Sequence, residues 1–215
     1  AMSKQSSNPV RELRYDNNDA ALGVKYMQEL GVKYFMGFTS EAIAQASQQE
    51  GLTEVARSGP WVVYRVADSD VVTPLAMQPV VAKISANNPR ERWLEVGTSW
   101  FQHPEVWTTP IADSGPSEWQ RVDVAVDESK REGEPKSNNR RVDVVKPATA
   151  LVPVPLDPVV VSNVDIGEES VKFSVDKIGV PVLVRVSYFP NWKVDGAKGP
   201  YRVAPNMMVV IPTST

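Results

Sequence analysis

The sequence contains no cysteine and a single histidine, His103. The absence of cysteine excludes disulfide bonds, thiolate catalysis and zinc or iron–sulfur sites that cysteine would hold. One histidine cannot form a metal site that needs several, and it leaves one place only for a histidine-based catalytic triad. No Gly-x-Ser-x-Gly string supplies a nucleophile for such a triad. We therefore predict no catalytic residue, no metal site and no cofactor-binding residue in this chain.

Charge excess and long apolar runs are also lacking. The chain has 23 Lys and Arg against 26 Asp and Glu, a formal net charge of -3, so we predict no nucleic-acid partner. No window reaches the roughly 18 consecutive apolar residues that cross a bilayer. No glycine-rich string follows the predicted strand at Val32, which argues against a dinucleotide or P-loop site. With 42% hydrophobic residues, the composition is that of a soluble globular protein.

The first half of the chain predicts a small α/β domain at residues 10–86, after a flexible lead at residues 1–9. Apolar residues at three- and four-residue intervals indicate one helix that starts after Asp16 or Asp19 and stops at Gly31. A second helix is expected to begin with Ser40 as its cap. Strands are predicted at residues 32–38, 52–57 and 61–67.

The second half predicts a helical and loop connector at residues 87–118 and a β-sandwich at residues 119–215. Two strands of alternating residues, 120–126 and 141–145, read as hairpin arms, and the charged tip at 127–140 is expected to be mobile and solvated. From Val159 onward, short strands alternate with turn residues. The fold class predicted is α+β: a small α/β unit, a helical connector and an antiparallel, jelly-roll-like sandwich.

His103 and two acidic clusters are the candidates for chemistry. His103 follows a predicted helix, where a histidine commonly caps carbonyl groups, and we favour that interpretation over catalysis. The acidic clusters at residues 16–19 and 68–70 approach the spacing of a cation site. Asp and Asn also favour turns and caps through local hydrogen bonds, which is the preferred interpretation.

The six tryptophans are the remaining candidates. Most are expected in the core, because the large indole ring dominates core packing. Trp107 and Trp192 lie beside predicted turns or loops, and they are the predicted contacts for a glycan or another partner.

Three strings carry a resemblance to a known family: LGVKYF at residues 30–35, SGPWVVY at 58–64 and above all VSYFPNWKVDG at 186–196. Together they resemble the extracytoplasmic portion of large polytopic membrane proteins of actinobacteria. Those proteins are related to YfhO-like proteins and more distantly to GT-C glycosyltransferases, and some carry a pterin-synthase-related label. Asn191 stands where that family usually has glycine.

The resemblance implies a β-rich domain that lies outside the cytoplasmic membrane, just before a final membrane helix. Transmembrane segments of the parent chain would follow Thr215 and precede residue 8. No string here matches the acidic catalytic loop of the glycosyltransferases, so no catalytic residue is transferred. The zinc chemistry of pterin synthases needs several histidines, which this chain lacks.

Three functional hypotheses follow. The first is a non-catalytic extracytoplasmic domain of a multi-pass membrane protein, which helps its parent handle a glycan or a lipid-linked sugar. Its partners would be the parent's own transmembrane segments and that sugar. The first alternative is a glycan-binding module, which a groove with an exposed Trp107 or Trp192 would favour. The second alternative is a stand-alone hydrolase or transferase, which would need two close carboxylates or His103 beside a hydroxyl.

Overall fold

A computed structural model describes residues 19–84, 87, 89–127 and 145–215. The predicted lead at 1–9, most of acidic cluster 16–19, and the predicted tip beyond Asp127 lie outside these residues. The chain forms two compact units, one up to Val71 and the other from Val72. The sequence placed the end of the first domain at residue 86, whereas residues 72–83 contribute two strands to the second unit.

The first unit packs two helices with a three-stranded antiparallel sheet of order β1-β3-β2. Its elements are α1 (Ala20–Glu29), β1 (Tyr34–Gly37), α2 (Ser40–Ser47), β2 (Leu52–Ser58) and β3 (Trp61–Val66). Asp19 caps α1, since its Oδ1 accepts from the backbone N–H of Leu22 at 2.8 Å. Thr39 caps α2, and the predicted cap Ser40 is the first helical residue. The core of this unit consists of Val24, Phe35, Ala46, Leu52, Val62, Tyr64 and Val66.

The second unit contains an eight-stranded mixed sheet of order β4-β11-β13-β12-β6-β5-β7-β8 and a separate β9-β10 hairpin. Its helices are α3 (Pro89–Phe101) and a 3₁₀ turn at Pro104–Val106. Its strands are β4 (Val72–Pro74), β5 (Val80–Lys83), β6 (Ile111–Ala112), β7 (Arg121–Val126), β8 (Val145–Pro147), β9 (Val161–Ile166), β10 (Val171–Val175), β11 (Val182–Val184), β12 (Ala197–Val203) and β13 (Met207–Pro212).

The α+β class is confirmed, but the pairing in the second unit differs from a jelly-roll-like antiparallel sandwich. Strand β5 runs parallel to both β6 and β7. Parallel neighbours need a long crossover, and α3 is the segment that carries the chain from β5 to β6. The predicted connector helix is thus a packed part of this unit, with Trp93, Trp100 and Phe101 buried.

Strand β13 is buried on both of its faces. Met207, Val209 and Ile211 point to a core cluster that includes Trp119, Leu183 and Val203. The alternate residues Met208 and Val210 point to the other side, because successive side chains of a strand face opposite ways. There they line one cavity together with residues of the β9-β10 hairpin. This second face positions the candidate site. In the described part of the chain, the helices are too short or too polar to cross a membrane.

Candidate functional site

Trp192 lies in the loop between β11 and β12, and hydrogen bonds hold its position. Its backbone N–H donates to the carbonyl of Phe189 at 3.0 Å, which closes a tight turn. Its indole Nε1 donates to the carbonyl of Ser187 at 3.2 Å. The backbone N–H of Tyr188 donates to the carbonyl of Asn206 at 2.7 Å and so ties the loop to the β12-β13 turn. Trp192 is therefore a half-buried ring on an anchored loop.

The ring of Trp192 lines a groove of about 610 Å³, here called the Trp192 groove. Its floor is the second face of the sheet, with Val184, Met208 and Val210. Phe173 of the β9-β10 hairpin lines the same groove. A volume of several hundred Å³ with mostly apolar walls is typical of small-ligand sites.

Polar side chains surround this apolar groove. Asn191, Lys193 and Asp195 come from the Trp192 loop, and Glu169 and Lys172 come from the hairpin. All five side chains are exposed. Within the described residues, Asn191, Lys193 and Asp195 make no side-chain hydrogen bond or ion pair. The groove thus combines an aromatic wall with unpaired donors and acceptors at its rim.

Trp107, the other tryptophan predicted for binding, has packing partners instead. Its ring centroid lies 6.0 Å from that of Trp100 and 5.5 Å from that of Phe101. Its Nε1 donates to the carbonyl of Trp100 at 3.1 Å. It does not line the Trp192 groove. We therefore leave Trp107 out of the candidate site.

The remaining tryptophans divide into core and surface. Trp93, Trp100 and Trp119 are each 3% exposed, so half of the six tryptophans, rather than most of them, are core residues. Trp61 is 43% exposed, and its ring packs on Phe38 at 4.5 Å between centroids. Burial of all six, which would have counted against a glycan-binding module, is not observed.

Two aromatic rings and an arginine support the Trp192 loop from its other end. The guanidinium of Arg202 lies 4.9 Å from the ring centroid of Trp93 and 5.7 Å from that of Tyr188. Its Nε donates to Oδ1 of Asn206 at 2.8 Å. Burial lowers the pKa of Arg202, and burial likewise raises the pKa of nearby Asp113, although their opposite charges partly offset both shifts.

His103 caps the end of α3, as predicted. Its Nδ1 lies within hydrogen-bond distance of the carbonyl of Ser99 in the last turn of the helix. The hydroxyl of Ser99 accepts from the backbone N–H of Val145 at 2.9 Å. The structure also shows what sequence reasoning missed: His103 lines a second cavity, of about 440 Å³, with Asp127 and Lys146.

The acidic cluster at residues 68–70 has the local structure of a turn. Ser69 is buried and its hydroxyl donates to the carbonyl of Val66 at 2.9 Å, while Asp68 has a positive φ of 51°. Asp19, from the other cluster, is the cap of α1. No group of three or more potential metal ligands occurs among the described residues.

The signal for the Trp192 groove was present in the sequence of β13. MMVVIP has no alternation of polar and apolar residues, a pattern typical of a strand that is covered on both faces. What covers the second face depends on contacts with distant residues, which a local pattern does not contain. Comparison of the chain with protein-family models, with curated proteins and with solved structures gives no match.

Proposed function

We propose that this chain is a non-catalytic binding domain that holds a glycan in the Trp192 groove. The observation that carries the proposal is the position of Trp192, whose half-buried ring forms one wall of a groove of about 610 Å³. Two hydrogen bonds hold this residue in place before any ligand arrives. An aromatic group fixed in advance costs little entropy when it binds.

The chemistry of the groove matches the two-sided character of a sugar. One side of a pyranose ring carries C–H groups that can cover the flat face of an indole, and its edge carries hydroxyls that need hydrogen-bond partners. Asn191 supplies both donor and acceptor atoms, Lys193 supplies donors and Asp195 supplies acceptors. Because Lys193 and Asp195 have opposite charges, an uncharged sugar fits this rim better than a strongly charged one.

The setting that we propose is the extracytoplasmic face of a cell membrane, as part of a larger integral membrane protein. The string VSYFPNWKVDG, which resembles polytopic membrane proteins of actinobacteria, includes Trp192 and three of the five polar residues at the groove rim. The domain would present its glycan, or the sugar of a lipid-linked glycan, to the membrane-embedded part of the same chain. The parent's transmembrane segments are the proposed protein partner.

A glycan array compared across two variants tests the binding site. The wild-type chain should retain at least one class of glycan. Trp192→Ala should weaken that binding about tenfold or more, the loss expected when a central aromatic contact is removed. Phe189→Ala is the matched control, because Phe189 is 59% exposed in the same loop and does not line the groove. Equal affinity of wild type and Trp192→Ala for every glycan bound would refute the site.

Labelling of intact cells tests the proposed setting separately. In cells that make the full-length gene product, a membrane-impermeant amine reagent should modify exposed lysines of this domain, such as Lys193 and Lys172. The expected labelling does not require permeabilised cells. Modification that occurs only after the membrane is opened would place the domain on the cytoplasmic side and contradict the proposal.

A further inference from the structure

The cavity beside His103, here called the His103 cavity, lies within the second unit and is separate from the Trp192 groove. Apolar side chains from α3 and from the sheet line it, including Val96, Trp100, Val122 and Val124. Its volume of about 440 Å³ falls within the range of cavities that hold small molecules. The apolar lining suits a ligand whose body is mostly hydrocarbon.

The hydrogen bond of His103 determines which of its nitrogens is open to a ligand. A carbonyl oxygen can only accept, so the Nδ1 that bonds to Ser99 carries the hydrogen. In the neutral ring, Nε2 then has a lone pair and acts as an acceptor. Within the described residues, Nε2 has no hydrogen-bond partner. His103 thus offers one acceptor to whatever occupies the cavity.

Three charged residues line this cavity: Glu105, which is exposed, and the pair Asp127 and Lys146. Lys146 and Asp127 form an ion pair at 3.2 Å. The side chain of Asp127 is 14% exposed and that of Lys146 is 58% exposed, so the carboxylate is the more buried partner. An ammonium group has three N–H donors, and this ion pair does not use them all. A charged ligand would place a like charge beside one member of the pair, whereas a neutral ligand would not.

We propose that the His103 cavity binds an uncharged, mainly apolar alcohol. A hydroxyl group both donates and accepts, so it can donate to Nε2 of His103 and accept from the ammonium of Lys146. The hydrocarbon part occupies the space between α3 and β7. This site shares no lining residue with the Trp192 groove, so either proposal can be refuted while the other stands.

Titration with 1-octanol tests the proposal, because the single histidine of the chain gives one set of imidazole NMR signals to follow. In ¹⁵N-labelled full-length chain, the His103 Nε2 resonance should shift saturably as 1-octanol is added. Octanoate and octylammonium have the same hydrocarbon chain and should bind at least tenfold more weakly. No shift up to the solubility limit of 1-octanol would overturn the proposal, and so would equal or tighter binding of either charged analogue.

Two variants locate the alcohol in the cavity. Lys146→Met keeps the apolar stem but removes the donor, and should weaken 1-octanol binding about tenfold in the same NMR titration. Lys83→Met is its matched control, because Lys83 also forms an exposed ion pair, with Asp123 at 3.1 Å, but does not line the cavity. Equal weakening by both variants would overturn the assignment. Val124→Phe, which fills the cavity, should abolish binding; retained binding in the folded variant would overturn it as well.

Discussion

Asp113 is a single residue whose charged carboxylate destabilises the folded chain. Its carboxyl is partly buried, and this burial raises its pKa above the ordinary value. A hydrogen bond from Ser114 and the positive charge of Arg202 oppose the shift without cancelling it. The charged form is therefore less stable in the folded chain than in the unfolded one, and the cost is fully present at neutral pH.

Asp113→Asn should remove the destabilisation that the buried carboxylate causes. Because the folded-state pKa is raised, wild type gains stability as the pH falls from neutral through that pKa, while the variant does not. The stability of the variant relative to wild type should thus be greatest at pH 7 and decrease at pH 4.5. Urea unfolding at the two pH values measures both differences. A variant whose relative stability is higher at pH 4.5 than at pH 7 would contradict the direction of the pKa shift.

Gly115→Ala should destabilise the chain by about 1–3 kcal/mol, the usual cost of overpacking. A Cβ atom at this position would overlap the indole ring of Trp119, which is buried in the core of the second unit. Ser117→Ala serves as the control, because Ser117 is exposed in the same loop and should change stability by less than about 0.5 kcal/mol. Urea unfolding followed by tryptophan fluorescence measures both. A change for Gly115→Ala no larger than the control would argue against this contact.

The tryptophans show how far residue-level prediction from sequence can go. The size and apolar character of tryptophan predict burial, and three of the six are buried. Trp107 and Trp192 have the same local signature, a position beside a turn. What separates them is tertiary: Trp107 packs against Trp100 and Phe101, whereas Trp192 lines a groove formed by β13 and the β9-β10 hairpin.

At the level of elements, helix α3 depends on a close approach to the β12-β13 turn. Gly97 is buried in the middle of α3, and a Cβ atom built on it would lie 2.7 Å from the carbonyl oxygen of Pro205. Such a contact is with backbone, which cannot move aside as a flexible side chain can. The approach brings Trp93, from the same helix, next to Arg202.

Gly97→Ala should therefore lower the free energy of unfolding by about 1–3 kcal/mol, even though alanine is the better helix former. Arg90→Ala is the control on the same helix, because Arg90 is exposed near its start. Chemical denaturation of both variants gives the comparison. If Gly97→Ala were as stable as wild type, α3 could not approach the turn as closely as described.

The elements that the sequence predicted well are those with local signals. The helices α1 and α2 and the strands β2 and β3 lie within a few residues of their expected positions, because caps, glycine stops and apolar periodicity mark them. The short strands β4, β5 and β6 were missed. Val72–Pro74 and Ile111–Ala112 are too short for a periodic pattern, and their pairing partners lie far away in sequence.

At the level of the whole molecule, each of the two units has its own hydrophobic core. Val62 belongs to the core of the first and Val209 to that of the second, and both are completely buried. Separate cores allow separate loss of structure, so a single free energy of unfolding need not describe the chain.

Val62→Ala should destabilise the first unit by about 2 kcal/mol, and Val209→Ala should destabilise the second unit by a similar amount. Native-state hydrogen exchange should show faster exchange in β1, β2 and β3 for Val62→Ala. For Val209→Ala, the faster exchange should fall in β11, β12 and β13. Equal acceleration of all these strands in both variants would show that the two cores unfold as one.

The position of β4 has a consequence for biosynthesis. Among the residues that the structure describes, this strand forms one edge of the eight-stranded sheet, and its neighbour there is β11, roughly 110 residues later in the chain. At ribosomal elongation rates, Val72–Pro74 emerges roughly 5–20 s before that neighbour has been made. During this interval the nascent segment is exposed to other polypeptides. Pro74 lacks an amide hydrogen and so limits the ladder that an incorrect partner could form, which protects the growing chain until its C-terminal strands arrive.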